Sequence, residues 1–98
     1  MQITMLVDIG KGLSSSRTLF EKKAEVSLAP FVGLELFERR KGADESGEFD
    51  VYGEYMVTDV SYDLDSGEVS CGVSVAKGED IGETSAELLR LGWVRLSA

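Results

Sequence analysis

The chain contains no histidine and no asparagine, one cysteine and one proline. Without histidine it lacks the commonest metal ligand and the commonest general base. Without asparagine it has no acceptor for N-linked glycans. Cys71 stands alone, so no internal disulfide can form; the fold must hold without a covalent staple and suits a reducing compartment. No apolar run approaches the ~18 residues of a membrane span. The opening residues MQITMLVDIG lack the basic start and long apolar stretch of a signal peptide. A cytoplasmic protein with no membrane partner is expected.

Bases are missing from one long stretch. Between Gly42 and Ala76 there is no lysine or arginine, while nine acids occur: Asp44, Glu45, Glu48, Asp50, Glu54, Asp59, Asp63, Asp65 and Glu68. The segment therefore carries -9 and the rest of the chain +1, so the whole deficit behind the formal charge of -8 lies here. Its field repels nucleic acid and anionic lipid, and it attracts basic surfaces at rates that fall with added salt. Solubility alone is the plainer explanation of the same charge.

What is present is a folded composition. The 98 residues are 43% hydrophobic and 29% charged, which suits one globular core and one domain spanning 1–98. No internal repeat or low-complexity tract divides it. In QITMLVDI, residues 2–9, Ile3, Met5, Val7 and Ile9 alternate onto one face, the pattern of a strand covered on one side. GKGLSSS reads as a loop. Alternation resumes from Leu19 to Leu28 with Phe20, Ala24, Val26 and Leu28 in phase; Lys22 shares their face, which suggests an edge or flap. Pro30 and Gly33 bracket a turn, and Leu34 and Leu36 follow in phase. KGADESGEFD reads as a polar loop, and Phe49 and Val51 as the start of an extended piece interrupted at Gly53.

YDLDSGEVSCG, residues 62–72, has the look of a calcium loop. An EF-hand requires glycine at its sixth position and a glutamate at its twelfth; counted from Asp63, glycine arrives fifth and Ser74 is twelfth. A hairpin accounts for every residue instead. With Leu64, Asp65, Ser66 and Gly67 as the loop, Tyr62 faces Val69, Val60 faces Cys71, Thr58 faces Val73 and Met56 faces Val75. This register collects the large apolar residues on one face and leaves Asp59, Ser61, Ser70, Gly72 and Ser74 on the other. Asp63 is placed to accept backbone N–H bonds, and Gly67 to end the bend with a positive φ.

After Lys77 the period changes. Asp80 with Glu83 and Thr84 with Glu87 are overlapping capping-box candidates, and Gly92 is a C-terminal stop, predicting a short helix over about 84–91. Leu88 and Leu91 lie on one side of it, with Ile81 as an anchor one turn earlier; WVRLS then predicts a last short strand. The expected fold is mainly β with one short C-terminal helix: a small curved antiparallel sheet, or a barrel of the SH3-like or OB-like size.

Catalytic signals are weak, and a non-enzyme is expected. Ser74 and Lys77 match S-x-x-K, but on a strand residues three apart point to opposite faces. GKGLSSS lacks the spacing of a phosphate loop. Cys71 falls on the inward face as a small hydrophobe, with no histidine to activate it. Paired carboxylates doing glycoside chemistry would need a cleft that holds them in different environments. No catalytic residue, metal ligand or cofactor is assigned.

The aromatics offer a better lead. Tyr55, beside Val57, falls on the outer phase of its strand, and Tyr52 precedes Gly53. Rings set among carboxylates suit a basic protein partner, the rings supplying contact and the charges orientation. Burial of Tyr55 and Val57 beneath the helix or the PFVG turn is the competing reading. The expected partner-binding set is Asp44, Glu45, Glu48, Asp50, Tyr52, Glu54, Tyr55 and Asp59. Arg39, Arg40 and Lys41 read as a solvated loop edge, too short a run for direct nucleic-acid binding. The leading expectation is a non-catalytic acidic module engaging a basic protein surface, in its sharper form a phage-type inhibitor that fills a nucleic-acid-binding groove. A subunit that oligomerises through its sheet face or edge is the alternative, and a small acid-dependent hydrolase stands behind both.

Overall fold

The computed structural model describes residues 1–9, 18–75 and 81–96, without the side chains of residues 81–83. It contains β1 (Gln2–Ile9), β2 (Thr18–Glu25), β3 (Glu35–Asp44), β4 (Gly47–Tyr62), β5 (Val69–Val75), α1 (Ile81–Arg90) and β6 (Val94–Arg95). The strands form one curled sheet in the order β3-β4-β5-β1-β2-β6, an open half-barrel rather than a closed one. Neighbours are antiparallel except β1 and β5, which run parallel with Ile3 beside Val69 and Met5 beside Cys71. The all-antiparallel expectation is corrected there: the chain returns to β1 from the far side of a hairpin, a relation no local pattern records.

β1 behaves as its alternation predicts. Ile3, Met5, Val7 and Ile9 are all buried, and they join Phe20, Tyr55, Val57, Cys71, Val73, Leu88, Leu91 and Trp93 in one core on the concave side. β2 stops at Glu25, so Leu28 is exposed instead of continuing the inward phase. Lys22 does face inward, directly beside Met5. Among the described residues no helix is long and apolar enough to cross a membrane.

The stretch 41–50 is not a loop. β3 runs through Lys41, Gly42 and Ala43 to Asp44, the chain reverses over Glu45 and Ser46, and β4 starts at Gly47. Its loop-like composition reflects a solvated hairpin tip, where strand pairing outweighs weak local propensity. Nor is β4 interrupted at Gly53. That glycine sits inside the ladder opposite Glu38, and a Cβ there would lie 2.7 Å from Cζ of Tyr55, whose phenol rests on the bare backbone. Glycine marks a close approach within a strand, not a break in it.

The 62–69 bend forms as read. Gly67 has φ of 74°, its N–H donates to the Asp63 carbonyl at 2.8 Å, and Tyr62 pairs with Val69 and Val60 with Cys71. Farther along, the register shifts: Asp59 pairs with Gly72 but Val57 with Val73, leaving Thr58 as the extra residue of a β-bulge. Gly72 makes room for it, since a Cβ there would lie 2.9 Å from the Asp59 carboxyl carbon. Two expected pairs are therefore corrected: Val73 faces Val57 and not Thr58, and Val75 faces Tyr55 and not Met56. Below the bulge the odd residues Tyr55 and Val57 enter the core and Met56 turns to solvent.

α1 begins at Ile81, three residues before the expected start, so Thr84 lies within the helix rather than at its cap. Asp80, the side chains of Ile81 and Glu83, Lys77 and the GKGLSSS segment lie outside the described residues. The far end follows expectation. Trp93 N–H donates to the Leu88 carbonyl at 3.0 Å and Gly92 N–H to that of Leu89 at 3.1 Å, the paired bonds of a Schellman cap, with Gly92 at φ 91°. This cap turns the chain so that Trp93 drops into the core beside Leu88 and Leu91.

Candidate partner-binding face

A strand shows alternate residues to opposite sides, with same-side neighbours roughly 6.6 Å apart. Before the bulge, β4 sends its odd residues inward, so Glu48, Asp50, Tyr52 and Glu54 form one exposed row on the outer face. Opposite them on β3 stand Ala43, Lys41, Arg39 and Phe37. Arg39, Arg40 and Lys41 thus belong to a strand rather than to a loop edge, and two of the three bases stand among the carboxylates of β4. Glu48, Asp50 and Glu54 enter no ion pair with another described residue. Tyr52 is 63% exposed, and its hydroxyl donates to Asp50 Oδ2 at 3.4 Å.

The remaining expected residues divide. Asp44 and Glu45 sit at the hairpin tip, where Ser46 donates to Asp44 Oδ1 from its N–H at 2.8 Å and its hydroxyl at 2.5 Å, holding that carboxyl below its ordinary range. Asp59 is exposed on the outer face but lies past the bulge, where it accepts from the Thr58 hydroxyl at 3.1 Å. Tyr55 does not belong to the set. It is 4% exposed on the concave side, its ring edge-on to Trp93 with centroids 5.2 Å apart. The extra residue at Thr58 reverses the parity on which its outward placement depended.

The outer face also carries apolar residues outside the expected set. Phe37 is 67% exposed and Met56 45%, and with Glu35, Glu54 and Ser74 they line a shallow groove of about 410 Å³. Leu34 and Leu36 take the inner positions as their phase predicts, which leaves Phe37, one residue out of phase, on the outer face.

The inner face holds a polar network whose partners are far apart in sequence. The Lys22 ammonium pairs with Glu38 and donates to the Leu91 carbonyl at 2.6 Å. The Tyr55 hydroxyl donates to the other Glu38 oxygen at 2.6 Å, and the Trp93 indole N–H donates to the Tyr55 hydroxyl at 3.0 Å. Burial, reinforced by the bond to Glu38, pushes the Tyr55 phenol well above its ordinary value, so it stays a donor. Lys22 and Glu38 belong to strands that are not neighbours in the sheet, and their pairing spans the open side of the half-barrel. The chain of bonds ties β2, β3 and β4 to the turn that follows α1.

Cys71 is fully buried, and burial, with a smaller contribution from Asp59, pushes its thiol above the ordinary value. It packs as a small hydrophobe. Asp63 spends its carboxylate on the bend: Oδ1 accepts from Asp65 N–H at 2.9 Å and from Ser66 N–H at 3.3 Å. These bonds hold its folded pKa below the usual 3.8, so the turn's contribution is complete above the unfolded value and fades as pH falls through the folded one. In an acid titration followed by NMR, the Asp65 and Ser66 amides are expected to shift together with a midpoint below 3.8; a midpoint at or above it would show the bonds absent in solution.

No family model, curated protein or solved structure matches the chain. The functional reading therefore rests on the outer face itself.

Proposed function

We propose that the protein is a cytoplasmic, non-catalytic binding module that presents the outer face of β4 to a basic protein surface. One observation supports this reading above the rest: Glu48, Asp50, Tyr52 and Glu54 stand in one exposed row on one strand, with the three carboxylates outside any ion pair among the described residues. A straight row of carboxylates with a ring set among them matches what a basic groove recognises, charge at regular intervals and a flat surface to stack on. A groove that normally holds nucleic acid is the sharper form, with carboxylates in the place of phosphates.

The test uses immobilised protein exposed to a lysate of its native cells at low and at high salt. Wild type is expected to retain a basic protein that high salt elutes, and the triple variant Glu48→Gln, Asp50→Asn, Glu54→Gln to retain at least about tenfold less. Equal retention by the variant sinks the reading. Displacement of the captured protein by single-stranded DNA separates the groove-filling form from general recognition of a basic surface.

A second reading, a subunit that assembles through its sheet, is favoured by a different observation: among the described residues β3 lies at the end of the sheet order and pairs with β4 alone.

A further inference from the structure

We propose that two copies of the chain pair edge to edge through β3, antiparallel about a two-fold axis, with Phe37 of one copy opposite Phe37 of the other. This deepens the assembly reading and rests on it.

The direction of the backbone fixes which residues meet. The Val57 N–H donates to the Leu34 carbonyl at 2.9 Å, so Leu34 directs its carbonyl toward β4, its own N–H closing the preceding turn on the Phe31 carbonyl at 3.0 Å. Alternation along an antiparallel ladder then turns Leu36, Glu38 and Arg40 the same way, and turns the N–H and C=O groups of Glu35, Phe37, Arg39 and Lys41 to the open edge. A second β3 can exchange hydrogen bonds only if these outward-directed residues face one another. Two-fold symmetry then leaves a short series of registers.

Charge and exposed apolar surface together select among them: axes at Glu35, Arg40, Lys41 and Asp44 set like charges directly opposite, and axes at Gly42 or Ala43 bring no aromatic residue to the contact. An axis at Glu38 sets Glu38 against Glu38, and an axis at Arg39 sets Arg39 against Arg39, like charges directly opposite. An axis at Leu36 sets Glu35 against Phe37 and forms no charge pair. An axis at Phe37 places two aromatic rings together at the centre and flanks them with two Glu35 to Arg39 pairs, all on the outer face. On the inner face Leu36 meets Glu38, whose charge is already met by Lys22. Phe37 is 67% exposed in the single chain, and Glu35 and Arg39 are exposed beside it. The edge is thus complementary to itself in hydrogen bonds, apolar surface and charge at one register.

So short a contact makes a weak, concentration-dependent dimer, below the area of standard interfaces. Sedimentation equilibrium on wild type, E35R, R39E, the double variant E35R/R39E, and an equimolar mixture of the two single variants tests it, with far-UV circular dichroism confirming the fold of each. Each single variant sets like charges opposite and is expected to self-associate at least about tenfold more weakly. The double variant exchanges the charges and should return to within about threefold of wild type. The mixture should form a heterodimer tighter than either variant alone, because one chain then carries a base at both positions and the other an acid at both, so that each flanking pair is again of opposite charge. Wild type remaining monomeric up to about 1 mM overturns both this pairing and the assembly reading. A dimer indifferent to all four changes overturns the pairing alone and leaves assembly through another part of the sheet.

Discussion

Replacing Trp93 by alanine should lower stability by about 3–5 kcal/mol, the range for removing a large aromatic from a packed core. The side chain is 2% exposed, meets the Tyr55 ring edge-on, and supplies the N–H that the Tyr55 hydroxyl accepts. Its loss leaves a cavity where α1, β4 and the C-terminal turn converge, and it takes one partner from the bonded chain that runs to Lys22. Trp93→Phe keeps most of the volume and removes only the N–H, so about 1–2 kcal/mol is expected. Urea unfolding followed by far-UV circular dichroism measures both, since the single tryptophan is no longer there as a fluorophore. A loss under about 1 kcal/mol for Trp93→Ala would mean that the segment after α1 is not part of the cooperative core.

The second large effect concerns Lys22 and Glu38. Their side chains are only 11% and 20% exposed, so removing either leaves a poorly hydrated charge without its partner. Lys22→Met should cost about 3 kcal/mol, since it strands the Glu38 carboxylate and takes a donor from the Leu91 carbonyl as well. Glu38→Leu should cost a similar amount by stranding the ammonium and the Tyr55 hydroxyl. The double variant Lys22→Met, Glu38→Leu strands no charge and should cost clearly less than the sum of the single losses, about 2–3 kcal/mol, what remains being the partners lost by the Leu91 carbonyl and the Tyr55 O–H. Denaturant midpoints of the four proteins give the coupling directly. Simple additivity of the two single losses would show that the pair opens to water in solution.

Parts of this architecture are legible in the sequence because they are local. Ile3, Met5, Val7 and Ile9 are the inward residues of a strand covered on one side, and their period of two is sufficient to place them. Asp63 and Gly67 identify a bend through their own backbone chemistry, and Gly92 identifies a helix end in the same way. The face taken by Tyr55 is not local. Met56, Val60 and Tyr62 offer one apolar parity, Tyr55 and Val57 the other, and the choice below Thr58 falls to Trp93, a residue 38 positions away. The acidic row of β4 is legible in its exposed even members, Glu48 to Glu54, and misread at Tyr55 for the same reason. Arg39 and Lys41 resemble loop residues until β3 is paired with β4, when they stand opposite Tyr52 and Asp50. Lys22 stands out in the sequence as an oddity on an apolar face, but its partner lies on a strand from the opposite side of the sheet, which no spacing within β2 encodes.

The surplus residue at Thr58 gives β4 two halves that obey opposite parities. Sliding the strand by one position along β5 would expel Tyr55 and Val57 while drawing Met56 inward, and no single displacement satisfies both halves. A sixteen-residue ribbon of uniform alternation could settle into neighbouring alignments of similar energy; this one is keyed, because a slip of one residue costs the burial of one half or the other.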